Sequence, residues 1–214
     1  MGKPADFYVG IVTFFAILVP GAVGTAILQP IVGPAIFGPL VPPLASEAAG
    51  WAAFLISAYF LGHLIFLAGS YIDLLYGRLR ERYNPYGNES AYQCATRIRD
   101  GLVEEPERKA INTFQWSRAV LTTLFPAAAS HVCELEADSK FFRSLLVVFA
   151  LSATVLFAAG KGMQGGIALL LVVPCFARYY ERRLKSTTQA YIYIVTLHRL
   201  GKLGGPPANA TLGD

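Results

Sequence analysis

The sequence contains the apolar segment WAAFLISAYFLGHLIFLAGSYI, residues 51–72, which has 22 residues and no Asp, Glu, Lys or Arg. At about 1.5 Å per residue, a helix of this length crosses a hydrocarbon core about 30 Å thick. A basic end marks the cytoplasmic side of a membrane span, and the residues that follow include Asp73, Arg78, Arg80 and Arg82. We therefore predict a membrane-spanning helix that projects into the cytoplasm and stops at residues 84–87.

The composition of the whole chain agrees with this segment. Of the 214 residues, 54% are hydrophobic and 15% are charged, whereas soluble domains have about 25% charged residues. The net charge of +4 carries no indication of a nucleic-acid partner, because membrane topology itself requires an excess of Lys and Arg. Neither a disulfide framework nor a zinc site is predicted, because no short spacing relates Cys94, Cys133 and Cys175.

Three further apolar segments predict an all-α, polytopic protein with about four transmembrane helices. Residues 7–28 form the first span, which we interpret as an uncleaved anchor and not a signal peptide, because the leader has Lys3 followed by Asp6. Residues 144–160 and 165–177 are shorter than the usual span of about 20 residues. They form a tight hairpin or a pair of re-entrant half-helices.

The uncharged stretch from 29 to 46 contains five prolines. Because proline removes a backbone donor and clashes with the preceding turn, we expect no regular helix there. Irregular backbone is not tolerated against lipid. The stretch is therefore predicted to be a Pro-rich outer loop, or to re-enter the membrane where protein or water satisfies its amides.

Charge placement gives the predicted topology. Ten Lys and Arg residues lie in 77–143 and six after Ala177, whereas the two outer loops contain only Lys161. The protein is therefore expected in a bacterial inner membrane, with both termini on the cytoplasmic side. The predicted parts are a transmembrane hairpin (1–76), a helical cytoplasmic domain (77–143), a second transmembrane hairpin (144–177), a cytoplasmic C-terminal helix (178–200) and a disordered tail (201–214).

His63 is the one titratable side chain near the middle of a predicted span. Ionisable residues inside a membrane are candidates for function, so His63 is predicted to act as a pH-sensitive gate or to line a water path. The alternative is a neutral imidazole bonded to a neighbouring helix carbonyl. Phe60 and Asp73 are the other pore or gate candidates, and Asp73 has the alternative of pairing with Arg78 or with the adjacent hairpin.

The basic helix ends are candidates for phosphate binding. They are expected near the inner membrane face, where they hold anionic lipid head groups or, around an oligomer axis, form an electropositive vestibule. These candidates are Arg78, Arg80, Arg82, Arg178, Arg182, Arg183 and Lys185.

No metal, cofactor or enzymatic activity is predicted. An acidic cluster, Glu134, Glu136 and Asp138, lies beside His131 and Cys133. A helix spreads these side chains over several faces, so we interpret them as a solvated face or a subunit contact. Paired catalytic groups near the membrane interface are not apparent in the sequence.

Small residues in the predicted spans, such as Gly62 and Gly69, allow close helix approach. Four short spans cannot enclose a water path alone, so a pore requires a symmetric homo-oligomer with one helix per subunit, the second span, facing the axis. The sequence thus favours a gated oligomeric ion channel with a cytoplasmic sensing domain. The alternative function is a non-conducting membrane scaffold or assembly protein.

The layout of the whole chain also resembles a known group. The segments concerned are DFY at 6–8, FFAILVPG at 14–21 and ADSKFFR at 137–143. They resemble the small bacterial four-span membrane effectors of anti-phage defence, most of all the membrane channel partner of the Hailong system. The resemblance implies a channel that a nucleic-acid or nucleotide signal from a partner nucleotidyltransferase holds shut, and that depolarises the infected cell when it opens.

Overall fold

The computed structural model describes residues 4–37, 47–83 and 89–203. These residues form seven helices and no strand, which confirms the predicted all-α class. In chain order the helices are α1 (Pro4–Phe37), α2 (Glu47–Tyr83), α3 (Ser90–Leu102), α4 (Glu105–Ala110), α5 (Thr113–Leu124), α6 (Pro126–Ala158) and α7 (Gly162–Arg199).

Three of the helices in the described part of the chain, α2, α6 and α7, are long and apolar enough to cross a membrane. The apolar stretch of α1, Ala16–Ile31, is shorter than those of the three candidate spans. The side chains before Phe14 lie outside the described residues. The membrane-protein prediction is therefore confirmed for three helices. Four spans and a cytoplasmic domain stay predictions.

The prediction for residues 29–37 was wrong. Helix α1 continues through Pro30 and Pro34 as far as Phe37, and it also contains Pro20. A proline inside a membrane helix is tolerated because neighbouring helices and local adjustments satisfy the carbonyl that loses its donor. Residues 38–46, the rest of the predicted loop, lie outside the described residues.

Several helix ends follow from local chemistry. Helix α2 ends at Tyr83, immediately before the predicted stop at 84–87, although residues 84–88 themselves are not described. Helix α5 begins with a capping box, in which the backbone N–H of Gln115 donates to Asn112 Oδ1 at 2.9 Å. Pro126 opens α6, where a missing N–H costs nothing. Helices α5 and α6 are therefore separated at Phe125.

A tight turn connects α6 to α7, which is what the hairpin alternative of the prediction requires. Gly160 has φ +72°, a left-handed conformation that glycine adopts without strain. Helix α7 then runs without interruption through Pro174 to Arg199. The C-terminal helix predicted at 178–200 is therefore part of the same helix as the fourth apolar segment. The tail prediction concerns residues that are mostly outside the described part, 204–214.

The chain divides into two compact units. The first unit comprises residues 1–75 and 137–182, and the second comprises 76–136 and 183–214. The core of the second unit consists of side chains from α3, α5, α6 and α7, namely Ala95, Ile98, Leu121, Ala129, Val132, Ala190, Tyr191 and Ile194. Residues 137–143, at the end of the predicted domain 77–143, group with the first unit.

Candidate functional site

One face of α2 is exposed over the length of its apolar segment. Phe60, for example, is 66% exposed, whereas Ala58 and Ile65 on the opposite face are buried. The large exposed side chains of this face are Trp51, Leu55, Ile56, Tyr59, Phe60, Leu64, Leu67, Tyr71, Leu74 and Leu75. We call this surface the outer face of α2. An exposed apolar surface of this size is typical of a site that meets lipid or another protein.

His63 lies on the outer face of α2 and is itself exposed. Its ring meets that of Tyr59 edge to face, with the centroids 4.6 Å apart. Among the described residues, the imidazole makes no hydrogen bond to a neighbouring helix carbonyl, which was the alternative to a functional role. Ionisable side chains within a membrane almost always face a bundle interior or a water-filled cavity. A histidine in the middle of this exposed apolar face is therefore the unusual feature of the helix.

The opposite face of α2 packs against α1 at backbone distance. A Cβ atom added to Gly62 would lie 2.3 Å from the carbonyl oxygen of Ile17, and one added to Gly21 would lie 1.9 Å from that of Ala58. Only glycine allows such an approach, as in other membrane helix pairs built on small residues. This contact fixes which face of α2 is turned outward.

Asp73 is bound by two side chains of the first unit. Arg143 Nη1 donates to its Oδ2, and the Tyr179 hydroxyl donates to its Oδ1 at 2.6 Å. The Arg143 guanidinium is buried and lies over the ring of Phe66, 4.9 Å from its centroid. The partner of Asp73 is thus Arg143 of α6, not Arg78. Because both carboxylate oxygens are engaged, Asp73 holds α2, α6 and α7 together and is a weak candidate for a gate.

The Asp73 contacts give a testable difference between two substitutions. Asp73→Asn leaves the buried Arg143 without its counter-charge and should lower the free energy of unfolding by roughly 1.5–3 kcal/mol, the range for hydrogen bonds to charged groups. Tyr179→Phe removes one hydrogen bond to the carboxylate but leaves the ion pair intact, so it should cost about 1.5 kcal/mol, the low end of the same range. Thermal melting in detergent measures both. An Asp73→Asn protein that melts like the wild type would contradict this role.

Arg80 is wholly buried in the second unit. Its Nη2 donates to Glu89 Oε2 at 2.7 Å and its Nη1 to Thr187 Oγ1 at 2.8 Å. The same Nη1 lies 3.2 Å from the hydroxyl of Tyr76, one turn earlier on α2. Thr188 donates to the other oxygen of Glu89 at 2.6 Å. The prediction that Arg80 binds lipid phosphate was therefore wrong, because its guanidinium is enclosed by protein groups.

The other basic candidates differ in their surroundings. Arg78, Arg82 and Lys185 are exposed. Arg178 is also exposed and pairs with Glu181 at 2.7 Å. Arg182 pairs with Asp138 at 3.4 Å, and the Arg183 guanidinium lies 5.9 Å from the centroid of the Phe114 ring. The phosphate candidates with exposed side chains are thus Arg78, Arg82, Arg178 and Lys185.

Two carboxylates of the acidic cluster on α6, Glu136 and Asp138, pair with arginines of the chain. Glu136 pairs with Arg118 at 3.0 Å, and a ring nitrogen of His131 lies 3.1 Å from the Tyr193 hydroxyl. Among the residues with described positions, no three His, Cys, Asp or Glu side chains are grouped as a metal would require.

The sequence prediction missed Arg143, Tyr179, Glu89 and Thr187. A signal existed for the first two. Arg143 directly precedes the third apolar segment, Tyr179 follows the fourth closely, and Asp73 follows the second. In the predicted topology these positions lie at the same membrane depth, so polar groups there are expected to meet. No comparable signal pointed to Glu89 or Thr187.

The chain matches no protein-family model, no curated protein and no solved structure. The resemblance to anti-phage membrane effectors therefore stays a prediction.

Proposed function

We propose that this chain assembles into a symmetric homo-oligomeric ion channel of a bacterial inner membrane. In this assembly the outer face of α2 from each subunit surrounds the axis and His63 contributes to the wall of the water path. The observation that supports the proposal is the exposure of His63 on an apolar face of a helix long enough to span the membrane. No other histidine or ionised residue lies in the segment 51–72.

Energetics favour a covered or hydrated His63 over a lipid-facing one. An imidazole without a hydrogen-bond partner in hydrocarbon costs roughly 1–3 kcal/mol, and the cost recurs in every copy. Packing copies around an axis removes this cost, because water or a neighbouring subunit then reaches the ring. The exposed neighbours Phe60 and Leu64 supply a hydrophobic constriction of the kind that closes channels by excluding water.

A cytoplasmic signal would act on the second unit. That unit carries Arg78, Arg82 and Lys185 as exposed cations, and phosphate groups pair well with such side chains. A nucleic-acid or nucleotide ligand made by a partner nucleotidyltransferase follows from the resemblance alone. Opening of such a channel would depolarise the membrane, because ions would flow down their gradients, and this is the effect expected of a defence effector.

The first test measures ion flux. Purified protein in liposomes should conduct ions, and His63→Leu should change the unitary conductance by about tenfold, the factor that corresponds to a barrier change of about 1.4 kcal/mol. Phe60→Ser should raise the leak by wetting the constriction. His131→Leu, a histidine change in the second unit, is the matched control and should leave conductance unchanged.

The second test locates the axis. In a background with Cys94, Cys133 and Cys175 replaced by serine, a cysteine introduced at the exposed Phe60 should cross-link between subunits. One introduced at the buried Ala58 should not. Cross-linking at position 60 without any ion flux would support the alternative scaffold function and contradict the channel. Equal behaviour at 58 and 60 would contradict an oligomer built on the outer face of α2.

A further inference from the structure

A groove of about 350 Å³ lies between α1, α6 and α7 within the first unit. We call it the α1–α6–α7 groove. Its apolar walls include Ile27 and Ile31 from α1, Phe149 and Leu156 from α6, and Ala168 and Leu171 from α7. Its volume is in the range of sites that bind small molecules, roughly 300–1,000 Å³.

The groove has a built floor. Leu156 and Ala168 are buried, and Ile27 and Ile31 pack against them. Ala168 and its buried neighbour Ala153 have small side chains, which leaves space between the three helices where larger residues would fill it. The α1–α6–α7 groove is therefore an apolar depression in the surface of the helix bundle, with a packed floor.

Polar chemistry is confined to one end of the groove. Lys161 and Gln164 line it there, and both are exposed. Lys161 belongs to the turn between α6 and α7, and Gln164 to the first turn of α7. Lys161 is also the one Lys or Arg between residues 144 and 177. A long apolar wall with a single cation at its mouth is complementary to an amphiphile that has a hydrocarbon tail and an anionic head.

The dimensions of the groove match one leaflet of a bilayer. Leu171 follows Lys161 by ten residues, which corresponds to about 15 Å along a helix. Half of a hydrocarbon core about 30 Å thick has the same length. A head group at Lys161 would therefore lie at the membrane surface while its tail reached Leu171 near the midplane.

We propose that the α1–α6–α7 groove binds one acyl chain of an anionic phospholipid, with the phosphodiester held by Lys161 Nζ and the Gln164 amide. A zwitterionic lipid binds less tightly, because its own ammonium group offsets the attraction of Lys161. The site holds its lipid whether or not the chain conducts ions, so its failure and that of the channel proposal are separate.

Native mass spectrometry of the full-length protein in detergent tests the site, with titration of phosphatidylglycerol and phosphatidylcholine. Phosphatidylglycerol should bind about fivefold more tightly, the factor expected for about 1 kcal/mol per lysine. Lys161→Gln should abolish this preference. Leu171→Trp should weaken binding of both lipids by tenfold or more, because the indole fills the inner end of the groove.

Matched controls distinguish the site from general effects on the protein. Lys202→Gln removes an exposed lysine of the second unit and should change nothing. Leu170→Trp adds the same indole at a position that does not line the groove and is 71% exposed, compared with 39% for Leu171.

Equal affinity for the two lipids in the wild type, or a preference that survives Lys161→Gln, would overturn the proposal. Unchanged binding in a folded Leu171→Trp protein would do so as well. Because Lys161 is exposed, its substitution is expected to preserve the melting temperature, and it remains a valid test if the tryptophan variant does not fold.

Discussion

Arg80→Met should lower the free energy of unfolding of the second unit by about 3–5 kcal/mol, the cost of removing one partner of a buried ion pair. Glu89, which is 15% exposed, would keep its charge without the guanidinium that compensates it. Thr187 would lose its donor at the same time. Since many domains are stable by only about 5–15 kcal/mol, a loss of this size removes a large share of the stability of the unit and increases its unfolded population.

Proteolysis of the full chain in detergent measures this effect, because cleavage between 89 and 136 reports on the second unit. Arg78→Met is the matched control, since Arg78 is exposed and two residues away. Arg80→Lys should recover little, because an ammonium group lacks the planar fork that reaches Glu89 and Thr187 together.

A double substitution separates charge from packing at Arg80. Removing both charges with Arg80→Met and Glu89→Leu should cost less than Arg80→Met alone, because replacing a whole buried pair is often close to neutral. If Arg80→Met were as stable as Arg78→Met, the buried pair would not be what holds α2, α3 and α7 together.

Gly62→Leu should separate α1 from α2 and prevent the first unit from folding correctly. Even the single Cβ of Gly62→Ala would lie 2.3 Å from the Ile17 carbonyl oxygen, so the helices must move apart. Overpacking of this kind costs roughly 1–3 kcal/mol for small additions. Gly21→Ala should behave similarly, because its Cβ would lie 1.9 Å from the Ala58 carbonyl oxygen.

Melting temperature in detergent, together with the yield of monodisperse protein, measures these glycine changes. Gly50→Ala and Gly166→Ala are matched controls in helices α2 and α7, since nothing lies within 4 Å of a Cβ at either position. They should be neutral or slightly stabilising, because alanine has a higher helix propensity. A Gly62→Leu protein with the melting temperature of these controls would mean that α1 and α2 are not in backbone contact.

The sequence predicted those parts of the fold that depend on local chemistry. The apolar run 51–72 in α2 and the glycine turn at 160 follow from hydrophobicity and from the conformational freedom of glycine. The same reasoning failed at Pro30 and Pro34, through which α1 continues as a helix. The rule that proline ends a helix leaves out the neighbouring helices and local adjustments that can satisfy the freed backbone carbonyl.

Contacts between distant residues could not be predicted in this way. Asp73 meets Arg143 and Tyr179 across 70 and 106 positions of the chain. For Arg80 a partial signal existed. On a helix Arg78 and Arg82 share a face, whereas Arg80 shares the opposite face with Tyr76. The spacing distinguishes the middle arginine from its neighbours, but the identity of the buried face depends on α3 and α7, which the local sequence does not specify.

The prolines of the long helices also set their bending stiffness. A proline breaks the hydrogen bond to the carbonyl four residues earlier, so a helix flexes there at little cost. Helix α1 contains Pro20, Pro30 and Pro34, and α7 contains Pro174. Helix α2 has no proline, and the proline of α6, Pro126, is the first residue of its helix. We therefore expect α1 and α7 to bend more readily than α2 and α6.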